Sequence, residues 1–424
     1  MNLSYRTETE VTDWGPYVRK IILPVPETVA AESVSEDTFS VYAENRSEKT
    51  GEIVQVRKDW TSQATAPSKG YCRVLKAYPS DGKGKEAEAG SYVALELECQ
   101  PMRNRFNSRT VLEGEHSVYA FCDFRITQIK EIGTEKNTVS GLIYDHFAGD
   151  SMEQAKGWVN SESSFAEMPL RFGYYTPRMG SGKRPLIIWL HGAGEGGTDT
   201  AVAYTGNKVV NLSSEKNQTI FGGAYVLAPQ CPTMWMDDGS GQYTQDGRSK
   251  YGQALKAVID EFISVHTDID RSRIYLGGCS NGGFMTMRMI IDYPGFFAAA
   301  FPVCEALFDA TISDEEIAAI KNTPIWFTHA KSDTVVKPEQ TVLPTYRRLM
   351  DAGATNVHFS FFDKVVDTSG IFKDTEGNPV EFFGHASWIY MLNDACRLDY
   401  DGSPVQIDGK EVTLLHWLAA QFRI

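Results

Sequence analysis

Ser280 sits between two glycines in Gly278-Cys279-Ser280-Asn281-Gly282, a spacing that suits a nucleophile carried on a tight turn. The stretch before it, Arg273-Ile274-Tyr275-Leu276-Gly277, reads as a short buried strand. Residues 282–291 after it read as a mostly apolar helix that ends before Pro294. Strand, turn and buried helix in that order expose a serine hydroxyl above a parallel sheet. The glycines leave room for the turn and for close approach of helix and strand. The same five letters also occur in ordinary strand–helix turns, so the other parts of the chemistry have to be sought along the chain.

A serine hydroxyl is a weak nucleophile at its ordinary pKa and needs a base, and the base needs an orienting carboxylate. Attack on a carbonyl also calls for N–H donors that meet the developing oxyanion. The apolar run 186–190 is followed by His191-Gly192-Ala193-Gly194-Glu195-Gly196-Gly197, a loop whose glycines let backbone amides turn toward a substrate. The amide of Ala193 is expected to act with that of Asn281, with Gly192 and Gly194 as competitors for the first place. A phosphate cradle is the rival reading, and it fails because no G-K-[ST] follows and no dinucleotide-type glycine pattern opens a helix here. The acid should lie on a loop after a later strand. Asp333 does so after the apolar run 324–329, with Asp363 and Asp367 as runners-up. The base comes last when a serine on such a turn follows the order Ser, acid, His. Only His358, His385 and His416 follow Asp333. His358 falls in a strand and His416 in the final helix, whereas His385 lies on a loop before a helix and is the expected base. His191 and His329 end strands on the same sheet edge and, with Gly192 and Trp388, are expected to line the substrate pocket. Trp235 lies in a segment, 230–251, that lines an acyl or aromatic pocket or folds over its own apolar cluster.

The elements that must position these residues change character along the chain. Up to about residue 130 the pattern is all-β. Residues 92–99 alternate, with Val93, Leu95, Leu97 and Cys99 on one face and Glu96 and Glu98 on the other, as antiparallel strands over a core do. Similar runs at 18–24, 38–43, 71–77 and 120–126 make a sandwich of immunoglobulin type. From about residue 165 strands and helices alternate. The run 186–190 is continuously apolar, and between 251 and 265 apolar residues recur with helical spacing at Ala254, Leu255, Val258, Ile259, Phe262 and Ile263. Such alternation predicts an α/β domain with a mainly parallel sheet. The polar segment 130–165 separates the halves, and the boundary is set at 1–145 and 146–424.

Composition narrows the field. At 424 residues two domains are the natural expectation. The net charge of −14 disfavours nucleic acid and anionic membrane surfaces as partners. No segment is apolar enough over enough length to span a membrane. The N-terminus lacks the charged-then-apolar pattern of a secretory signal, so the expectation is a cytoplasmic protein, or a secreted one whose signal has been removed. The seven cysteines form no C-x-x-C pair and the eight histidines no H-E-x-x-H, so neither a structural disulfide nor a metal or other cofactor is expected.

As an ordered set, Leu190-His191-Gly192-Ala193-Gly194, Ala228-Pro229-Gln230-Cys231-Pro232 with Trp235, the Ser280 turn, His329 with Asp333, and Gly384-His385-Ala386-Ser387-Trp388 resemble bacterial α/β-hydrolase serine esterases. These are the "predicted peptidase" type, related to feruloyl esterases and polyhydroxybutyrate depolymerases. Trp14-Gly15-Pro16 with the run 18–24, and Asp37-Thr38-Phe39-Ser40-Val41, are similar to the immunoglobulin-like domain attached to some of them. The resemblance implies hydrolysis of a small-molecule or carbohydrate-linked ester through an acyl-serine, without a cofactor, by Ser280, His385 and Asp333. By the same analogy the extra domain covers the rim of the site or mediates assembly into a homo-oligomer. A serine peptidase on the same fold and a non-catalytic binding protein with a hydrolase-like domain are the competing readings.

Overall fold

A computed structural model of the protein describes residues 2–57, 64–101, 105–134, 136–165 and 167–423. The chain divides into two units, Met1–Lys156 and Gly157–Ile424. The first is all-β. Its strands pair in the order Lys69–Cys72, Phe39–Ser47, His116–Gln128, Ile143–Ser151, Asn2–Thr12, Gly15–Ala30, Ala89–Leu97, Val74–Ser80. Alternation buries one set of side chains: Phe39, Val41 and Ala43 on one strand, Cys122, Phe124 and Ile126 on its neighbour, Val93, Leu95 and Leu97 on a third. Tyr5 is fully buried among them, and its hydroxyl accepts the Phe124 N–H at 2.9 Å, which satisfies both groups inside an apolar core.

The division falls eleven residues later than the sequence boundary at 145. Ile143–Ser151 pairs parallel with Asn2–Thr12, so residues that read as a polar linker complete the first sheet. Only Tyr144 is buried along that strand, and the apolar alternation that would announce it is missing.

The second unit holds an eight-stranded sheet: β1 (Trp158–Glu162), β2 (Arg171–Tyr175), β3 (Arg184–Leu190), β4 (Tyr225–Gln230), β5 (Ile269–Cys279), β6 (Ala299–Val303), β7 (Ile325–Ala330) and β8 (Val357–Phe362), in the order β1-β2-β4-β3-β5-β6-β7-β8. From β4 to β8 all pairings are parallel, and β1 and β2 form an antiparallel edge. The carboxyl ends of β3, β5, β6 and β7 therefore open on one edge of the sheet, where ligand chemistry gathers in such folds. Leu186 to Leu190 on β3 are fully buried, as a strand covered on both faces requires. Helix α1 (Gly252–Val265) buries the six-residue stripe read from the sequence. Helix α2 (Asn281–Asp292) is buried almost all round, which marks it as central to the core.

Strand β5 runs to Cys279, so both glycines before the serine are inside the strand rather than in the turn. Their use is space. A Cβ on Gly278 would lie 2.4 Å from the Leu190 carbonyl oxygen, and one on Gly282 would lie 2.0 Å from the same atom. The first turn of α2 thus rests on the backbone of β3. Gly282→Ala is expected to lower the thermal unfolding midpoint by an amount equivalent to about 1–3 kcal/mol or more, because backbone cannot move aside. Gly194→Ala, where nothing lies within 4 Å of the new methyl, is expected to leave the midpoint unchanged. Equal midpoints for the two variants in differential scanning calorimetry would contradict this account.

Candidate active site

Ser280 lies between the end of β5 and the start of α2 with φ 54° and ψ −115°, in the left-handed half of backbone space that a residue with a side chain rarely adopts. A strain of about 1–3 kcal/mol is typical of such a residue and persists only where surroundings over-determine it. Here they do: the Ser280 N–H donates to Val303 O on β6 at 2.9 Å, and its carbonyl accepts the Phe284 N–H at 2.9 Å. A serine at a helix N-cap ordinarily turns its hydroxyl onto the helix's own amides. Ser280 makes no such bond. Its Oγ instead lies 2.9 Å from Nε2 of His385.

His385 sits in a short 3-10 turn, Gly384–Ala386, and its Nδ1 lies 2.8 Å from Oδ2 of Asp333 on the loop after β7. The three residues chosen by position in the chain are therefore brought into one hydrogen-bonded line. Gly384 makes this approach possible, since a Cβ there would stand 2.3 Å from the Ser332 carbonyl carbon. Burial of Asp333 opposes its charge, but hydrogen bonds from His329 and His385 outweigh it and hold the carboxyl well below the usual carboxylate range. An ionised Asp333 behind His385 makes Nε2 a proton acceptor for Ser280 and stabilises the imidazolium that results. The runners-up are elsewhere: Asp363 is an exposed partner of Lys331, and Asp367 caps its own turn at Ser369 and Gly370. His358 bonds Asp399 at 2.6 Å, and His416 bonds Thr413 at the start of the last helix.

Several residues expected to line the pocket are buried. His191 is fully buried. Its Nδ1–H meets Gly192 O at 2.6 Å and its Nε2 accepts the Cys231 N–H at 2.9 Å, so it ties the glycine loop to the segment after β4. His329 is fully buried against Asp333. Trp235 is fully buried in the core, and its backbone N–H is held by Asn281 Oδ1. Trp388 keeps only 7% of its surface and stands edge-on to His385 at 6.1 Å. Gly192 is buried too, with Glu195 Oε2 3.0 Å from where a Cβ would be. The apolar group left on the surface beside the base is Phe383, 38% exposed and 6.2 Å from the His385 ring. Ala193 opens the turn Ala193–Glu195 and Asn281 is the first residue of α2, whose leading amides have no partner inside the helix. Among the described residues no group of His, Cys, Asp and Glu is arranged to hold a metal ion.

Fold and side chains together define an α/β-hydrolase with a serine at the elbow of its sheet. Residues 4–141 match the family described as the esterase Ig-like N-terminal domain, and residues 178–363 match the family described as Phospholipase/Carboxylesterase. The second unit thus carries the match to a carboxylesterase family and the first the match to an esterase's immunoglobulin-like domain. Poly(3-hydroxyalkanoate) depolymerase C of Paucimonas lemoignei is 33% identical over 123 residues, 28% of this chain and 27% of that protein. Acetylxylan esterase A of Emericella nidulans is 26% identical over 155 residues, 35% of this chain and 47% of that protein. The chain thus spans about a quarter and about half the length of these curated relatives. A solved structure described as a thermostable esterase superposes with a TM-score of 0.72 at 23% identity, covering 99% of this chain and 100% of that one, a likeness of fold.

Two carboxyls escaped the sequence reading because nothing in their spacing announces them. Glu195 lies in the glycine loop, and burial pushes it up to about 7 despite the amides of Glu195 and Gly192 and the side chain of Asn207. Glu305 follows β6, 1% exposed. Its Oε2 accepts the Leu307 N–H at 2.8 Å and its Oε1 has no partner among the described residues. Burial pushes Glu305 up to about 8 against that one hydrogen bond. Between its ordinary value of 4.5 and about 8 the folded protein holds a proton that the unfolded chain has lost, so this group removes stability as pH rises through that window. The slope is at most about 1.4 kcal/mol per pH unit. Glu305→Gln, an isostere of the neutral acid, is expected to raise the unfolding midpoint at pH 9 and leave it unchanged at pH 5. The same midpoint change at both pH values would show that Glu305 does not titrate in this way.

Proposed function

We propose that the protein is a serine carboxylesterase that hydrolyses short-chain acyl or aromatic esters, of acetyl or feruloyl type, through an acyl-serine intermediate. The observation that carries this reading is the hydrogen-bonded line from Asp333 through His385 to Ser280 at 2.8 and 2.9 Å. Ser280 Oγ attacks the ester carbonyl while His385 Nε2 takes its proton. The amides of Ala193 and Asn281 receive the oxyanion. As the tetrahedral adduct collapses, His385 returns the proton to the departing alcohol. A water then repeats the sequence on the acyl-enzyme and frees the acid. The match of the second domain to the carboxylesterase family supports an ester over an amide, which would pass through the same oxyanion. The two relatives, a poly(3-hydroxyalkanoate) depolymerase and an acetylxylan esterase, support an ester carried on a polymer or a carbohydrate. Phe383 beside the base is an apolar surface suited to an aromatic acyl group. The net charge of −14 speaks against nucleic acid or an anionic membrane as partner.

Ser280→Ala is expected to reduce kcat for p-nitrophenyl acetate and butyrate by on the order of 10⁴-fold or more, and to abolish labelling by a fluorophosphonate probe. Undiminished turnover in that variant would sink the assignment. In a panel of acetyl, butyryl, feruloyl and longer acyl esters with peptide controls, the highest kcat/KM is expected for acetyl or feruloyl esters, and preferential cleavage of the peptides would favour the peptidase instead.

A further inference from the structure

Asp333 is gripped by more than the base it serves. Oδ1 accepts the backbone N–H groups of Val335 and Val336, each at 2.9 Å. Oδ2 accepts from His385 Nδ1 at 2.8 Å and from His329 Nε2 at 3.0 Å. A carboxylate offers about four lone-pair sites, and here each oxygen meets two donors. His329 is the last residue but one of β7, four before Asp333, and its side chain is fully enclosed. Its Nε2 also lies 3.1 Å from the Val336 carbonyl oxygen. Two acceptors at one ring nitrogen require the proton to be on Nε2. Nδ1 is buried without a hydrogen-bond partner among the described residues, so the ring acts only as a donor, and only in this direction.

We infer that His329 is a positioning residue for the reaction: it fills the lone-pair site on Asp333 Oδ2 that His385 leaves open, and so fixes the direction in which the carboxylate meets His385. The two backbone amides hold one oxygen and the plane of the group. The second oxygen is held against the base by two imidazoles from two different elements, the end of β7 and the 3-10 turn at Gly384–Ala386. Without His329 one buried lone-pair site is empty, and the carboxylate is restrained at Oδ2 by His385 alone, the ring that must move its own proton during catalysis. His329 does not touch substrate; it acts through Asp333.

This inference rests on the Ser280–His385–Asp333 reading, and the experiment separates the two. Three variants change one property each. His329→Gln places an amide N–H near the position of Nε2, His329→Asn carries the same amide one carbon short of it, and His329→Leu fills the space without a donor. Turnover of p-nitrophenyl butyrate is measured per active site, counted by fluorophosphonate labelling, so that loss of folded protein does not enter kcat. His329→Leu and His329→Asn are expected to lower kcat on the order of 10- to 100-fold, with KM changed by no more than about twofold. His329→Gln is expected to return to within about fivefold of the parent. Equal kcat for the leucine variant and the parent overturns the proposal, as does a glutamine variant no better than asparagine. Should Ser280→Ala retain turnover in the same assay, the triad reading itself fails, a result distinct from either.

Discussion

Everything at the catalytic edge depends on how closely the first turn of α2 lies against the end of β3. Gly282 stands where any side chain would run into the Leu190 carbonyl oxygen. That contact fixes where the helix begins, and the helix beginning fixes Ser280 in its unfavourable backbone conformation. The Ser280 N–H is drawn to Val303 on the far side, so the serine is stretched between three neighbouring strands. With its backbone held by β6 and α2, the hydroxyl makes no cap bond and lies within reach of His385. Rigid strands set the position of the nucleophile, while loops bring in the base and acid.

Four carboxyls in the second unit show that burial alone does not decide charge. Asp237 and Asp333 are enclosed yet ionised, because Asp237 meets Lys250, Thr233 and the amides of Gly239 and Gly241, and Asp333 meets two imidazoles and two amides. Asp237 is brought down to about 2, its donors overcoming burial. Glu305 and Glu195 have fewer or weaker donors, and burial prevails. The number and strength of N–H and O–H groups within reach separates the two outcomes.

Much of this was readable from the residues. The strands β3 to β8 announce themselves as apolar runs, α1 as a stripe, and the meeting of Ser280, Asp333 and His385 follows from chain order applied to loops. What could not be read depends on contacts between distant segments. Edge strand β1, Trp158–Glu162, is mostly exposed and polar, so no hydrophobic period marks it. Ile143–Ser151 looks like linker for the same reason. His191 and His329 occupy sheet-edge positions that suit a pocket, and only their partners, Cys231 and Asp333, show them to be buried fixtures. Glu305 has no motif, because its environment is made by strands that sequence does not place side by side.

The segment between β4 and α1 is fastened to the sheet at its start. His191 holds Cys231 at its start, and Asn281 holds Trp235 four residues on. The Gly197 N–H also donates to the Cys231 carbonyl at 2.9 Å, and Trp235 and Met236 are buried in the core of the unit. Within the segment, Asp237 gathers Thr233, Gly239, Gly241 and Lys250 around one carboxylate, and Thr233 meets Tyr251 at 2.7 Å. The segment therefore has its own organiser and is anchored to the sheet chiefly at its first few residues. Its middle, where Tyr243 is exposed, lies away from the strands that hold the serine. A change made there reaches the serine only through the stretch that His191 and Asn281 hold, so the two anchors insulate the sheet from that exposed loop.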